Sequence, residues 1–157
     1  DPTRVEYSTR TKTTSKRPPP LSYEDLKKMS EDNGVGDIYN LLVERLSIIF
    51  NGKNTTRSSI AFVGLMNGSR NTIFSLIPKD SNSEDGLKFQ VYINRLAKYL
   101  DVDKERLVEV LPQDKREWGF VGYSSPEWTG YEGYFKNIDE AEHLTETLSE
   151  MKRPENG

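Results

Sequence analysis

The segment LKFQVYI, residues 87–93, alternates apolar and polar side chains with the period of a β-strand. One side of this strand carries Leu87, Phe89, Val91 and Ile93, and the other side carries Lys88, Gln90, Tyr92 and Asn94. One face therefore packs on a core and the other meets water or a partner, as in an antiparallel sheet. The segment predicts a layered domain with a polar sheet exterior.

Two more strands precede it. Residues 59–65 are apolar on both faces, residues 71–77 form a return strand, and Asn67-Gly68 between them is a strong hairpin signal. The segment NGKNTTRSS, residues 51–59, is predicted as a polar loop, and so is the run from Pro78 to Gly86. Further strands are expected at 118–120 and 131–135.

Helices surround these strands. Residues 37–51 place their polar side chains on one narrow stripe, which predicts a central helix wrapped by other elements. Residues 138–152 form an amphipathic C-terminal helix, and shorter helices are expected at 22–32, 94–100 and 103–111. The fold class is α+β. We expect an antiparallel sheet of four or five strands packed with the central apolar helix and the C-terminal helix.

The termini differ from the rest of the chain. Residues 1–20 are rich in Thr, Ser and Pro and carry a local charge of +3, which predicts a disordered basic linker or tail. A basic arm that touches nucleic acid is the alternative for this segment. Residues 21–152 are expected to form a single α+β domain, and residues 153–157 a frayed tail.

Composition excludes several classes of function. The chain of 157 residues has no cysteine and one histidine, so thiolate zinc sites, multi-histidine metal sites and disulfides are excluded. No cofactor and no metal are expected. No apolar run reaches the roughly 18 residues of a membrane span, and no signal peptide is evident, so we expect an intracellular, cytoplasmic protein without membrane contact.

Catalytic signatures are weak. Asp80 or Asp85 with Lys88 loosely resembles a metal-dependent nuclease, but Gly86 stands where the second acid is needed. His143 has no evident orienting partner for general-base work. No catalytic residue is assigned. Enzymatic activity is left undecided, and its absence is favoured.

Seven aromatic residues crowd the segment EWGFVGYSSPEWTGYEGYF, residues 117–135, among Gly, Ser and Pro. Aromatic rings near small residues can stack on bases or sugars, or they can be core residues. We expect Trp118, Phe120 and Phe135 in the core. Candidate binding residues are the loop aromatics with the polar face of the 87–93 strand and two nearby cations: Tyr123, Trp128, Tyr131, Lys88, Gln90, Tyr92, Arg57 and Arg70.

The order of segments resembles a known domain. A long apolar helix leads to RSSIAFVG, a hairpin, LKFQVYI, EWGFVGY and an acidic helix. This layout is similar to a small domain of unknown function labelled a predicted transport protein, often fused to nuclease-like DNA-handling domains. The resemblance covers roughly residues 38–150 and transfers no functional residue. It implies an accessory module of a larger nucleic-acid protein.

Three functional hypotheses remain open. The first is a non-enzymatic accessory binding domain of a larger intracellular protein, associated with nucleic acid or a partner protein. The second is a small-molecule-binding domain or enzyme with an aromatic-rimmed pocket. The third is a structural docking or dimerisation module. The sequence leaves the ligand, the oligomeric state and what precedes Asp1 undetermined.

Overall fold

The computed structural model describes residues 19–66, 68–119 and 129–152. Five helices lie in these ranges: α1 (Tyr23–Asp32), α2 (Gly36–Ile49), α3 (Ile93–Leu100), α4 (Lys104–Val110) and α5 (Ile138–Lys152). Six strands accompany them: β1 (Gly52–Thr55), β2 (Ile60–Met66), β3 (Ser69–Asn82), β4 (Gly86–Val91), β5 (Lys115–Gly119) and β6 (Thr129–Phe135). The predicted α+β class is confirmed.

All six strands form one antiparallel sheet in the order β1-β2-β3-β4-β6-β5. The expected count of four or five strands is therefore too low. The additional strand is β1, which lies in the segment predicted as a polar loop. It pairs Lys53 with Phe62 and Asn54 with Ala61 along the edge of the sheet. Strand β1 is held by backbone pairing with β2, and its sequence GKNT has no apolar side chain. Hydrophobic alternation therefore could not predict it.

Strand β3 is longer than predicted, because it continues through Pro78 to Asn82. Its register with β4 is irregular between Ile77 and Asn82. In this irregular stretch the Ser81 hydroxyl donates to the carbonyl of Ile77 at 2.7 Å and accepts from the backbone N–H of Lys88 at 2.8 Å. A side chain thus satisfies backbone groups that a regular ladder would pair.

The core lies between the helices and one face of the sheet. Its centre is a row of phenylalanine rings, in which Phe89 lies 5.8 Å from Phe74 and 5.0 Å from Phe135 between ring centroids. Buried leucines of the predicted central helix α2 and the C-terminal helix α5 belong to the same cluster. The face of the sheet that carries these rings is called the inner face below, and the opposite face the outer face.

The N-terminal boundary of the domain has a well-defined local structure. The Ser22 hydroxyl accepts from the backbone N–H of Asp25 at 3.0 Å, and the Asp25 carboxylate accepts from the backbone N–H of Ser22, which completes the capping box of α1. The backbone N–H of Leu21 donates to the carbonyl of Thr56. The predicted tails lie mostly outside the described residues: 1–18 at the start and 153–157 at the end.

Tyr39 on α2 gives the fold a sensitivity to alkaline pH. Burial raises its pKa to about 12, and the neighbouring Tyr23 adds to the effect. The unfolded chain loses this proton near pH 10, so the stabilising effect is complete below pH 10 and is lost as the pH rises toward 12. We expect the free energy of unfolding, measured by urea denaturation, to fall relative to that of Tyr39→Phe over this range, by about 1 kcal/mol per pH unit. Equal slopes in both proteins would contradict this assignment.

Candidate functional site

The outer face of β4, β6 and β5 brings polar and aromatic side chains together in three rows. Opposed residues of an antiparallel pair share a face of the sheet. Lys88 pairs with Tyr134, Gln90 pairs with Glu132, and Glu132 pairs in turn with Arg116. Trp118 pairs with Gly130 in the third row. Neighbouring rows are roughly 7 Å apart along the strands, since each residue advances a strand by about 3.4 Å.

Glu132 is the hub of the middle row. Its carboxylate accepts from Gln90 Nε2 at 3.1 Å and from Arg116 Nε at 2.7 Å, and Arg116 Nη2 forms an ion pair with the same carboxylate oxygen. Burial raises the pKa of Glu132. The hydrogen bonds from Gln90 and Arg116, together with the charges of Arg116 and Lys88, lower it by more, so the net pKa lies below the usual value. Glu132 is therefore an ionised carboxylate, and each of its oxygens accepts from a cationic or amide donor.

A cleft of about 340 Å³ opens on this part of the outer face. Its lining includes three cationic side chains and two carboxylates: Lys88, Lys115, Arg116, Asp114 and Glu132, with Tyr134 beside them. Lys88 Nζ is 3.7 Å from the Asp80 carboxylate. Lys115 pairs with Gly133 in the inner-facing register, and its Nζ donates to the carbonyl of Pro112 at 3.1 Å, so it is not one of the outer-face cations. Arg116 exposes 78% of its side chain, whereas Glu132 exposes 13%. Arg116 is thus more exposed than its carboxylate partner, whereas Lys88 exposes 22% of its side chain and its partner Asp80 exposes 56%.

Two aromatic rings meet in the third row. Tyr92 and Trp118 are in edge-to-face contact with centroids 5.3 Å apart. Gly130 lies in the strand beside Trp118, and a Cβ atom there would come within 3.0 Å of Trp118 Cζ2. The guanidinium of Arg95 lies 4.4 Å from the centroid of Tyr92, and Arg95 Nη1 donates to the carbonyl of Thr72 at 2.8 Å. A cation–π contact of this kind fixes the ring and keeps positive charge near it.

The predicted binding residues divide between several places. Lys88, Gln90 and Tyr92 lie together on the outer face, as their alternation predicts. Tyr131 pairs with Val91, so it lies on the inner face and packs against the core cluster. It does not share a surface with Lys88 and Gln90. Tyr123 and Trp128 lie outside the described residues.

The two remaining predicted cations are distant from this cleft. Arg70 is exposed near the start of β3 and lies beside Gly52. It is seven residues from Ile77, the partner of Lys88, which corresponds to roughly 23 Å along the strand. Arg57 is exposed in the turn after β1, and its Nη1 is 3.5 Å from the carbonyl of Pro19. Neither arginine belongs to the cleft.

The sequence reasoning missed Arg116, Glu132 and Tyr134, and it placed Trp118 in the core. Trp118 is half-buried on the outer face, where it packs on Tyr92. Phe135 is fully buried as expected, and Phe120 lies outside the described residues. A usable signal existed: Glu132 is the one acid within the aromatic strand TGYEGYF, and a carboxylate in such a strand needs cationic or amide donors on its neighbours.

The described residues offer little for metal or membrane chemistry. Within them, no three side chains of His, Asp or Glu come together in a way that could hold a metal ion. None of the helices in the same ranges has the length and apolarity to cross a bilayer. His143 is exposed on α5.

Comparisons of the chain with protein-family models, with curated proteins and with solved structures find no match.

Proposed function

We propose that this domain is a non-enzymatic accessory module of a larger intracellular protein, and that it binds single-stranded nucleic acid across the outer face of β4, β6 and β5. The observation that carries the proposal is the strand register. It sets the cations Lys88 and Arg116 on the same face as the rings of Tyr134 and Trp118. Proteins that bind single strands combine cations that follow the phosphates with rings that stack on the bases.

The charge of the surface fits an anionic ligand of moderate affinity. Three cations and two acidic residues line the cleft. In the ion pair between Arg116 and Glu132, Arg116 is the more exposed partner. Few phosphate contacts can form at once, so we expect a dissociation constant in the range of non-specific complexes, about 10⁻⁴–10⁻⁶ M. The overall charge of −3 disfavours long-range attraction of an anionic ligand, so we expect short-range contacts with Lys88 and Arg116 to supply the affinity.

Loss of the two outer-face cations should weaken nucleic-acid binding. We expect the double variant Lys88→Gln, Arg116→Gln to bind a fluorescent oligothymidylate at least about tenfold more weakly than the unsubstituted protein in low salt. Removing Arg116 also leaves the Glu132 carboxylate facing the ligand. The slope of log affinity against log salt should become shallower by about 1.4, since each single-strand phosphate contact contributes about 0.7. Fluorescence anisotropy titrations at several salt concentrations measure both quantities.

The matched control is Lys27→Gln with Lys28→Gln. Both lysines are exposed on α1, which contributes no residue to the cleft, and the double substitution removes the same net charge. This variant should bind within about twofold of the unsubstituted protein. Equal weakening by both double variants would refute the assigned surface. An absence of saturable binding by the unsubstituted protein up to roughly 100 μM would refute nucleic-acid binding.

The cleft supports a small anionic molecule as the second candidate ligand. Its volume of about 340 Å³ is at the lower end of the range of roughly 300–1,000 Å³ for small-molecule sites. A ligand held in the cleft by short hydrogen bonds should raise the melting temperature at high salt as well as at low salt. In that case the Lys88→Gln, Arg116→Gln variant should lose this increase in melting temperature, and oligonucleotides should show no saturable binding.

A further inference from the structure

The carboxylate of Glu132 receives hydrogen bonds from both neighbouring strands. Gln90 on β4 donates to one oxygen at 3.1 Å, and Arg116 on β5 donates its Nε to the other at 2.7 Å. The second contact from Arg116, through Nη2, uses the edge of the guanidinium that carries two parallel N–H groups. It is one of the two guanidinium edges that can bind carboxylates and phosphates in the two-point manner, and here both of its donors reach Oε2 of Glu132.

A phosphate on the outer face needs the same donors. Arg116 is the cation of the middle row and is largely exposed, but its Nε–Nη2 edge is directed at Glu132. Lys88 is held near Asp80, and Lys115 is directed at a backbone carbonyl. A ligand phosphate that binds the Nε–Nη2 edge of Arg116 must therefore replace the Glu132 carboxylate, whereas a phosphate on the Nη1–Nη2 edge leaves Glu132 in place.

We propose that Glu132 is an internal competitor of the ligand phosphate: it occupies the guanidinium edge of Arg116 in the free protein and yields it when the phosphate binds. The inference rests on the proposed function and names the residue that limits its affinity. The released carboxylate then faces an anionic ligand, which adds repulsion to the lost ion pair.

Proton binding should follow from this exchange. In the free protein the pKa of Glu132 lies below its usual value, because Gln90, Arg116 and the charge of Lys88 outweigh the effect of burial. In the complex Arg116 contacts the phosphate, so the Glu132 pKa rises, and binding takes up a proton. Affinity should therefore increase as the pH falls toward the usual glutamate range near 4.3. Asp80 beside Lys88 and Asp114 in the cleft also face this region and are controlled for below.

The test compares Glu132→Gln with the unsubstituted protein, using an oligothymidylate of about 12 nucleotides because its bases do not take up protons in this pH range. Glutamine keeps the size of the side chain and an oxygen for Arg116. We expect Glu132→Gln to bind about tenfold more tightly at pH 7. The unsubstituted protein should tighten severalfold between about pH 7 and pH 5, and the variant should tighten less. The residual change in the variant measures the contribution of Asp80 and Asp114.

The matched control is Glu117→Gln. Glu117 is exposed on β5 next to Arg116, and it pairs with Tyr131 in the inner-facing register. This substitution removes the same charge without altering the middle row. It should change affinity by less than about twofold and leave the pH profile unaltered. Carbon NMR of the Glu132 carboxyl group gives a second readout on the unsubstituted protein. The titration of this carboxyl should move to higher pH when the oligothymidylate is bound.

The outcomes separate the inference from the proposed function. Binding by the unsubstituted protein with no gain in Glu132→Gln, or with the same gain in Glu117→Gln, overturns the inference and leaves the proposed function standing. An unmoved Glu132 titration in the complex overturns it as well. Saturable binding by Glu132→Gln alone supports the competitor role. Binding by neither protein overturns both proposals together.

Discussion

Replacement of Phe89 by alanine is expected to lower the free energy of unfolding by about 3–5 kcal/mol. Phe89 is fully buried and lies between Phe74 and Phe135 in the row of rings at the centre of the core. The substitution removes apolar burial and leaves a cavity that neighbouring rings on fixed strands fill poorly. Since domains of this size are stable by about 5–15 kcal/mol, the loss is a large part of the total. Urea denaturation followed by circular dichroism measures it.

Phe89→Leu is the graded control, because it keeps most of the apolar volume and should cost about 1–2 kcal/mol. The two variants share the position, so their difference reports the apolar burial and the cavity volume of the atoms that leucine keeps. An alanine variant within about 1 kcal/mol of the unsubstituted protein would show that the phenylalanine row is not the centre of the core.

Gly133→Ala should destabilise the protein by about 3 kcal/mol and detach β5 from β6. A methyl group at position 133 would collide with the backbone carbonyl of Asp114, at the point where β5 begins. Backbone atoms cannot move aside as a flexible side chain can, so the strand itself must shift. Hydrogen exchange of the β5 amides should accelerate, and binding to the outer face should weaken because Arg116 and Trp118 lie on that strand.

Gly68→Ala separates steric collision from backbone conformation. Gly68 has a φ of +80°, and a Cβ atom there would meet no heavy atom within 4 Å. The cost should be about 1 kcal/mol, from the left-handed conformation only. Exchange of the β5 amides should stay unchanged. If both glycine variants lose the same stability, the collision at position 133 is relieved by small shifts and the expectation for β5 is wrong.

The parts of the fold that the sequence predicts are those with a strong hydrophobic period. Helix α2, the strand β4 and helix α5 each show one, and each lies close to its expected range. The hairpin between β2 and β3 follows the Asn67-Gly68 signal, with Gly68 at positive φ. Strand β1 could not be predicted in this way. Its sequence GKNT has no apolar side chain, and its hydrogen bonds depend on β2, which is a tertiary partner.

The outer face of β4, β6 and β5 shows where the alternation of apolar and polar residues stops predicting which side chains are buried. Alternation in β4 separates polar Lys88 and Gln90 from apolar neighbours, so its outer residues are predictable. Strand β6 has tyrosine at positions of both parities, Tyr131 and Tyr134, and glycine at Gly130 and Gly133. Because tyrosine and glycine occur on both faces of β6, these residues do not indicate which face of the strand is buried. Its register with β4 sets Glu132 outward and Tyr131 inward, on the side of the buried Phe135.

The strand order has a consequence for how the outer face and the rest of the protein depend on each other. Among the described strands, β5 pairs only with β6, and β6 joins the sheet through β4 alone. The β4–β6 ladder is therefore the seam that joins the two last strands to β1–β4, and the burial of Phe135 on β6 holds it closed. Lys88 and Gln90 lie on one side of this seam, and Arg116 and Tyr134 lie on the other. A ligand that contacts both sides fastens the seam, so occupancy should slow local opening in the β5–β6 pair far more than in the remainder of the molecule.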